Sequence, residues 1–264
     1  MMRERHKPNP EGEQRFADFY NRMAAMETDF TINQVNALPL LSEDTLLDMG
    51  CGPGRLSVPL AKRVKSVTAL DMSDAVLRYV EKNAKAAGAD NITTQKLDFH
   101  DAVADDNLKK HDVVICSRSA GMWDLRKLST FANRMAAIVT FANAPTIPHL
   151  LSGIFKDTCS EPKPFPAHCL DRKVNYNVMF NIAYDMGYEP NVRIVEDGFR
   201  KNYVSREEAE SDILTLGKVD EDRIAVFKKN LAPFLTTNDS GGVTFLMETR
   251  TCVIWWLIRS RKFF

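Results

Sequence analysis

The chain has 264 residues, 44% of them hydrophobic, with Lys plus Arg and Asp plus Glu both at 35, so the formal net charge is zero. That length can bury the core of one large domain with a cap, and the charge balance argues against a nucleic-acid partner, which needs a basic face to neutralise phosphates. Residues 1–8 lack the apolar core of a signal peptide, residues 252–258 are too few to span a bilayer, and five scattered cysteines fit reduced thiols, so a cytoplasmic location and no membrane partner are expected.

Residues 1–12 are polar and proline-bearing and read as a frayed start. From Arg15 onward, Phe16, Phe19, Tyr20 and Met23 recur at helical spacing and predict an amphipathic helix. A short apolar strand, 45–49, then runs into Gly50-Cys51-Gly52-Pro53-Gly54. Glycines at alternate positions let the backbone turn sharply and come close to a ligand. A helix over 56–64 follows, with Leu56, Leu60, Ala61 and Val64 on one face. Strand, turn and helix together are expected to present free backbone N–H groups at the mouth of a crevice. A dinucleotide-binding turn wants G-x-G-x-x-G/A. Here the sixth position is Arg55, the third glycine comes one residue early, and Asp48 precedes the first glycine by two.

The next strand, 66–70, leads to Asp71, a carboxylate at a strand tip that can accept hydrogen bonds from both hydroxyls of a ribose. Ser73 and Asp74 read as the N-cap and first turn of a helix that runs to Ala87 and stops at Gly88. A third strand, 92–97, delivers Asp98 and Phe99, and a fourth, 112–116, delivers Ser117, Arg118 and Ser119 to the same edge.

The D-x-G-x-G-x-G turn from Asp48, followed in order by Asp71, Asp98-Phe99 and the strand before Ser117, resembles the class I S-adenosylmethionine-dependent methyltransferases over residues 40–141. The resemblance implies an α/β fold, a three-layer αβα Rossmann-like arrangement around a seven-stranded, largely parallel sheet with its last strand antiparallel. It implies S-adenosyl-L-methionine as cofactor and S-adenosyl-L-homocysteine as product. The cofactor site it implies comprises Asp48, Gly50, Cys51, Gly52, Gly54, Asp71, Met72, Asp98, Phe99 and Ser117, with Met72, Asp98 and Phe99 around the adenine. N-terminal helices of small-molecule members of the family close over the cofactor, which adds Tyr20; simple packing on the core is the other reading of that helix.

Further along, Trp123-Asp124-Leu125 leads into a helix through Ala132, and a fifth strand spans 135–141. Pro145, Pro148, Pro162, Pro164 and Pro166 exclude one continuous helix or a central strand from 143–174, though 148–158 can form a short helix. A helix resumes at Asn175 and stops at Gly187, and a sixth strand spans 192–195. Ser205 and Glu208 form a capping-box pattern that opens a helix to Leu216; another helix covers 221–234. Gly241-Gly242 then release a last strand, 243–258, long enough to be bent or bulged. The chain therefore divides into lid helices 1–40, a cofactor-binding core 41–142, a cap insertion 143–174, and 175–264 with a helical insertion at about 197–242. Both insertions leave from carboxyl ends of strands, where open α/β sheets bind ligands, and are expected to roof the site. A dimer interface is the rival role and leaves a homodimer open.

Methyl transfer from a sulfonium is an in-line displacement that depends mainly on alignment. A general base helps only where the nucleophile must lose a proton. Asp124, His149 and His168 are the candidates, each with a structural alternative, and the sequence does not single one out. Arg118 can pair with a substrate carboxylate or with an internal acid such as Asp124. Trp123 can wall the transfer pocket or simply pack. His149, Asp157, Cys159, His168 and Cys169 fall in one insertion, but no pair has C-x-x-C or H-x₃₋₅-H spacing, so no metal is expected. The Asn-Pro-Pro-Tyr and Pro-Cys signatures of some amino- and cytosine-methylating relatives are absent. The expected acceptor is a small molecule; an RNA or protein acceptor, and a non-catalytic cofactor sensor or scaffold, are the alternatives.

Overall fold

The computed structural model describes residues 10–160 and 175–258, which fall into two compact units interleaved along the chain. The first holds the chain up to Ala25, Pro39–Ile138 and the residues from Leu257; the second holds Met26–Leu38 and Val139–Trp256. Among the described residues no helix is long and apolar enough to cross a membrane.

In the first unit β1 (Thr45–Met49), β2 (Ser66–Asp71), β3 (Ile92–Lys96), β4 (His111–Ser117) and β5 (Ala132–Phe141, to Ile138 in this unit) lie in the order β3-β2-β1-β4-β5. β1 pairs in parallel with β2, from Thr45↔Ser66 to Met49↔Leu70, and with β4, from Leu46↔Val113 to Asp48↔Ile115. A strand flanked and covered in this way is apolar on both faces, and Leu46, Leu47 and Met49 are fully buried. The strand order reverses direction between β1 and β4, the switch point outside whose carboxyl ends such sheets bind ligands.

The helices of this unit depart from the expected spans for local reasons. α3 (Ser57–Ala61) ends early because Lys62 and Arg63 donate to Pro59 and Leu60 carbonyls, the tighter three-residue pattern. α5 (Leu125–Thr130) stops before Ala132, which already belongs to β5; the buried Phe131 accepts the His111 N–H and draws the chain alongside β4. α1 (Pro10–Met26) places Glu11 and Glu13 in its first turn, where the helix dipole favours acids. Its aromatic stripe does not face a core: Phe16 is 55% exposed and Tyr20 46%. Its buried residues are Ala17 and Met26, and Ala17 clusters with Ala75 and Val76 of α4 (Asp74–Ala86). Around this small contact Asp18 accepts the Tyr79 hydroxyl at 2.7 Å and Gln14 accepts Arg78 at 3.0 Å.

The second unit contains α2 (Thr28–Asn36), α6 (Ile147–Ile154), α7 (Tyr176–Asp185), β6 (Asn191–Tyr203), α8 (Arg206–Leu214), α9 (Ile224–Leu231), β7 (Leu235–Thr237) and β8 (Val243–Leu257). β6 runs past 195 to Tyr203 because it pairs antiparallel with β8 in one unbroken register, from Asn191↔Trp255 to Tyr203↔Val243. That ladder carries no bulge, and a Cβ on Gly198 would lie 2.1 Å from the Met247 carbonyl oxygen. The short β7 also pairs antiparallel with β8 and makes eight described strands where seven were expected. The fold is mixed α/β, with mostly parallel strands first and antiparallel strands last.

α2 was not legible in the sequence; it lies on β6, where the Gln34 amide donates to Asp197 at 3.1 Å. α8 opens as its spacing predicts, with Ser205 accepting the Glu208 N–H while Glu208 accepts the Val204 N–H at 2.9 Å. α6 and α9 are braced together: Phe155 stacks on Phe227 at 5.6 Å, and the Asn230 amide donates to the carbonyls of Ile154 and Lys156. The described part of the first insertion and the helices of the second thus form one layer.

Candidate functional site at the glycine turn

The turn after β1 is held from several sides. Gly50, at φ +72°, and Cys51 both donate their N–H groups to the Leu70 carbonyl, at 2.8 and 2.9 Å. A Cβ on Gly50 would lie 2.3 Å from the Ser119 hydroxyl oxygen, which itself donates to the Met49 carbonyl at 2.8 Å. The Gly52 N–H donates to Asp71 at 3.1 Å and the Gly54 N–H to the Cys51 carbonyl at 3.2 Å. The glycine turn therefore uses the N–H groups of Gly50, Cys51, Gly52 and Gly54 within the fold. It does leave room for a ligand to meet the backbone, since no atom lies within 4 Å of a Cβ position at Gly52.

Asp71 stands at the tip of β2 and accepts two backbone N–H groups, Gly52 on one oxygen and Ser73 on the other at 3.1 Å. Burial pushes its pKa up, opposed by the bonds from Ser73, Gly52 and Met72. Each carboxylate oxygen has a second lone pair, so the group can still accept two adjacent hydroxyls. Ser73 occupies the predicted N-cap position of α4 but caps nothing, and its hydroxyl is buried with no hydrogen-bond partner among the described residues. Met72, between them, is 65% exposed. An open backbone, a pre-held carboxylate, an orphan hydroxyl and an exposed thioether fit a ligand with a ribose and a base. Asp98 spends one oxygen on the His100 N–H at 2.9 Å. The Phe99 ring is buried, with the Lys127 ammonium 5.0 Å from its centroid.

Asp48 is 1% exposed and accepts the Ser57 hydroxyl at 2.6 Å, which ties β1 to α3. Burial raises its pKa to about 6, against the lowering influence of Ser57 and Arg55. The Cys51 thiol is buried against the Gly52 carbonyl, and burial pushes its pKa well above the ordinary thiol range. It is a neutral packing group. Tyr20 is placed by its neighbour Asn21: one amide, Asn83, donates to Asn21 at 2.8 Å and to the Pro53 carbonyl at 2.9 Å. α1, α4 and the glycine turn meet at that amide, with the Tyr20 ring tilted at 39° against Phe16, centroids 4.3 Å apart.

At the end of β4 the Ser117 hydroxyl accepts the Arg55 guanidinium at 2.7 Å. Arg118 follows at φ +49°, a conformation uncommon for a residue with a side chain and one that persists where the surroundings enforce it. Trp123 closes a short 3₁₀ turn and is 65% exposed. Asp124 is the N-cap of α5, accepting the Lys127 N–H at 2.8 Å, so this candidate base serves as a helix cap. His149 is exposed in the first turn of α6, in the second unit, and His168 lies outside the described residues. The sequence reading missed Arg55, noticed only as a misfit to the dinucleotide pattern, and Asn83, which carried no signal.

The Methyltransferase domain family matches residues 46–140. The chain is 30% identical over 165 residues to an uncharacterized protein of Haemophilus influenzae, covering 61% of this chain and 57% of that one. It is 36% identical over 76 residues to a 23S rRNA (uracil(1939)-C(5))-methyltransferase of Photobacterium angustum, and 37% identical over 76 residues to a ubiquinone biosynthesis O-methyltransferase of Nitrosomonas europaea. Each of these two matches covers 29% of this chain and 32% of the relative, so the chain spans only part of the curated relatives it matches. In fold it is similar to a SAM-dependent methyltransferase from Thiobacillus denitrificans, solved with S-adenosyl-L-homocysteine, at TM-score 0.53 and 13% identity over 96% of this chain and 99% of that one.

Proposed function

We propose that this chain, which carries a class I S-adenosylmethionine-dependent methyltransferase domain, transfers a methyl group from S-adenosylmethionine to a small organic acceptor. The observation that carries the reading is Asp71, a carboxylate fixed by Gly52 and Ser73 beside an open glycine turn. In this reading Asp71 accepts the two ribose hydroxyls, and Met72 lies against the adenine. α1 carries Tyr20 over the cofactor. The cofactor supplies a methyl already activated on a sulfonium, so the protein's task is to orient the acceptor and exclude water. Trp123 and Arg118, at the end of β4, are the residues proposed to receive the acceptor, by stacking and by charge. The helical layer of the second unit is proposed as the acceptor cap. The thiols of Cys51, Cys116 and Cys252 are buried, which supports a reducing compartment, the cytoplasm.

Titration calorimetry with S-adenosylhomocysteine tests the cofactor assignment. Asp71→Ala is expected to weaken binding by about 1.5–3 kcal/mol, the range for hydrogen bonds to a charged group. Unchanged affinity in that variant, or tighter binding of NAD than of S-adenosylhomocysteine, would sink it. An RNA acceptor is the second reading, favoured by the similarity to an rRNA methyltransferase. The zero net charge weighs against it, and the equally long similarity to a ubiquinone O-methyltransferase supports the small-molecule reading.

A further inference from the structure

In the second unit β6 is an edge: among the described strands it is bonded on one side only, to β8. In an antiparallel ladder a residue either exchanges both backbone bonds with its opposite number or turns both groups away. Just before β8 the Gly242 carbonyl accepts the Asn238 N–H on the β7 side. Even-numbered residues of β8 therefore turn toward β7, and odd-numbered ones toward β6. Even residues of β6 stand opposite even residues of β8, from Val192↔Ile254 to Asn202↔Thr244. Val192, Ile194 and Glu196 thus direct their N–H and C=O groups outward. The Glu196 carbonyl is met there by the Asn33 amide of α2, at 3.2 Å.

Sheet edges are guarded by covering elements, charges or proline. α2 guards β6 from Glu196 onward, where Arg200 pairs with Asp29 at 3.7 Å and lies over the Phe30 ring. Pro190, which has no N–H, guards the entry. Between these guards Val192 and Ile194 are 38% and 39% exposed, two β-branched side chains on one face.

We infer that this short edge pairs antiparallel with the same edge of a second copy, each Val192 opposite the other copy's Ile194. That register makes four backbone hydrogen bonds and uses every outward group of the two residues. It also sets Pro190 opposite Glu196 of the second copy, so the N–H that proline lacks faces a carbonyl that Asn33 already occupies. Sliding one way asks Val192 to use that occupied carbonyl; sliding the other way leaves the Ile194 carbonyl facing the proline. Val192 and Ile194 from both copies form one apolar cluster. Arg193 meets its own counterpart at the two-fold axis, an unfavourable pair, with its guanidinium drawn back over Trp255, 6.0 Å from the ring centroid. The interface is small, so the association is weak.

Sedimentation of the full chain from about 5 to 500 µM should shift from one copy toward two. The Val192 and Ile194 amides, quick to exchange when dilute, should slow in step. Val192→Pro removes an outward N–H without touching the ladder to β8, and Ile194→Lys places a charge in the cluster. Each variant should keep its melting profile yet stay a single copy at the highest concentration. Arg193→Thr should tighten the pair by about 2- to 5-fold. A wild-type chain that stays single throughout, or a dimer that neither edge variant loosens, would overturn the inference. So would a dimer in which those two amides still exchange quickly, or one that Arg193→Thr weakens.

Discussion

Asp48 and Gly50 illustrate how single residues build this turn. Asp48 is buried with its pKa raised to about 6, above the ordinary carboxylate value, so the folded state holds its proton more tightly than the unfolded chain. Its effect on stability is therefore most favourable at low pH and is lost as pH rises from about 4 to about 6. Asp48→Asn, which can still accept from Ser57, removes that dependence. Its stability relative to wild type, measured by chemical denaturation, should rise by about 2–3 kcal/mol between pH 4 and pH 7 and stay flat above. A constant difference across that window would show that Asp48 is not the titrating group. Gly50→Ala combines a positive φ with a Cβ driven into Ser119, and should cost about 1–3 kcal/mol by the same measurement. The glycines and Asp71 were readable because turn geometry and a strand-tip carboxylate have fixed positions in sequence. The inward direction of Asp48 was not readable. In a strand buried on both faces, alternation gives no side a distinguishing pattern.

Among the elements, those with a strong period were legible and those held by remote partners were not. β1, β2 and α4 match their predicted spans closely, and α4 hides Ala75, Val76, Leu77, Val80 and Ala84 on one face as helical spacing requires. α2 escaped because its buried side includes the polar Thr31, which bonds the nearby Glu27 carbonyl, and Gln34, whose partner Asp197 lies far along the chain. β6 was cut short in the reading because charged residues interrupt it, among them Glu196, Asp197, Arg200 and Lys201; its length is set by the ladder to β8. α1 was found, with its aromatic face read either as core packing or as a lid over the cofactor; the face is exposed and does not pack on a core. The physical reason is that Ala17 makes the buried contact and polar pairs complete it. Asn83 should govern how firmly α1 is held. Asn83→Ala removes both bonds of that amide, and hydrogen exchange across residues 10–25 should accelerate by roughly 5- to 30-fold, the equivalent of about 1–2 kcal/mol. No change there would mean that Ala17 packing alone secures the helix.

At the scale of the whole molecule, equal numbers of acidic and basic residues bear on the proposed acceptor. Retention on RNA should be weak and vanish steeply with added salt, because each neutralised phosphate releases counterions. A labelled-cofactor assay should transfer nothing to bulk tRNA or rRNA, and stoichiometric labelling of a defined RNA would promote the second reading. The interleaving of the two units has a different consequence, one in time. Neither unit is a continuous stretch of chain. Gln34 meets Asp197 across 163 residues, and Arg134 accepts the N–H of Ile258. Such distant closures carry a loop-entropy cost that is recovered only when both ends are present. During synthesis at about 5–20 residues per second, Gln34 of α2 would wait on the order of 10–30 s for Asp197 of β6. The buried side of α2, with Phe30 and Val35, is made early and covered late, so the nascent chain must pass that interval with it open to chaperones and to aggregation alike.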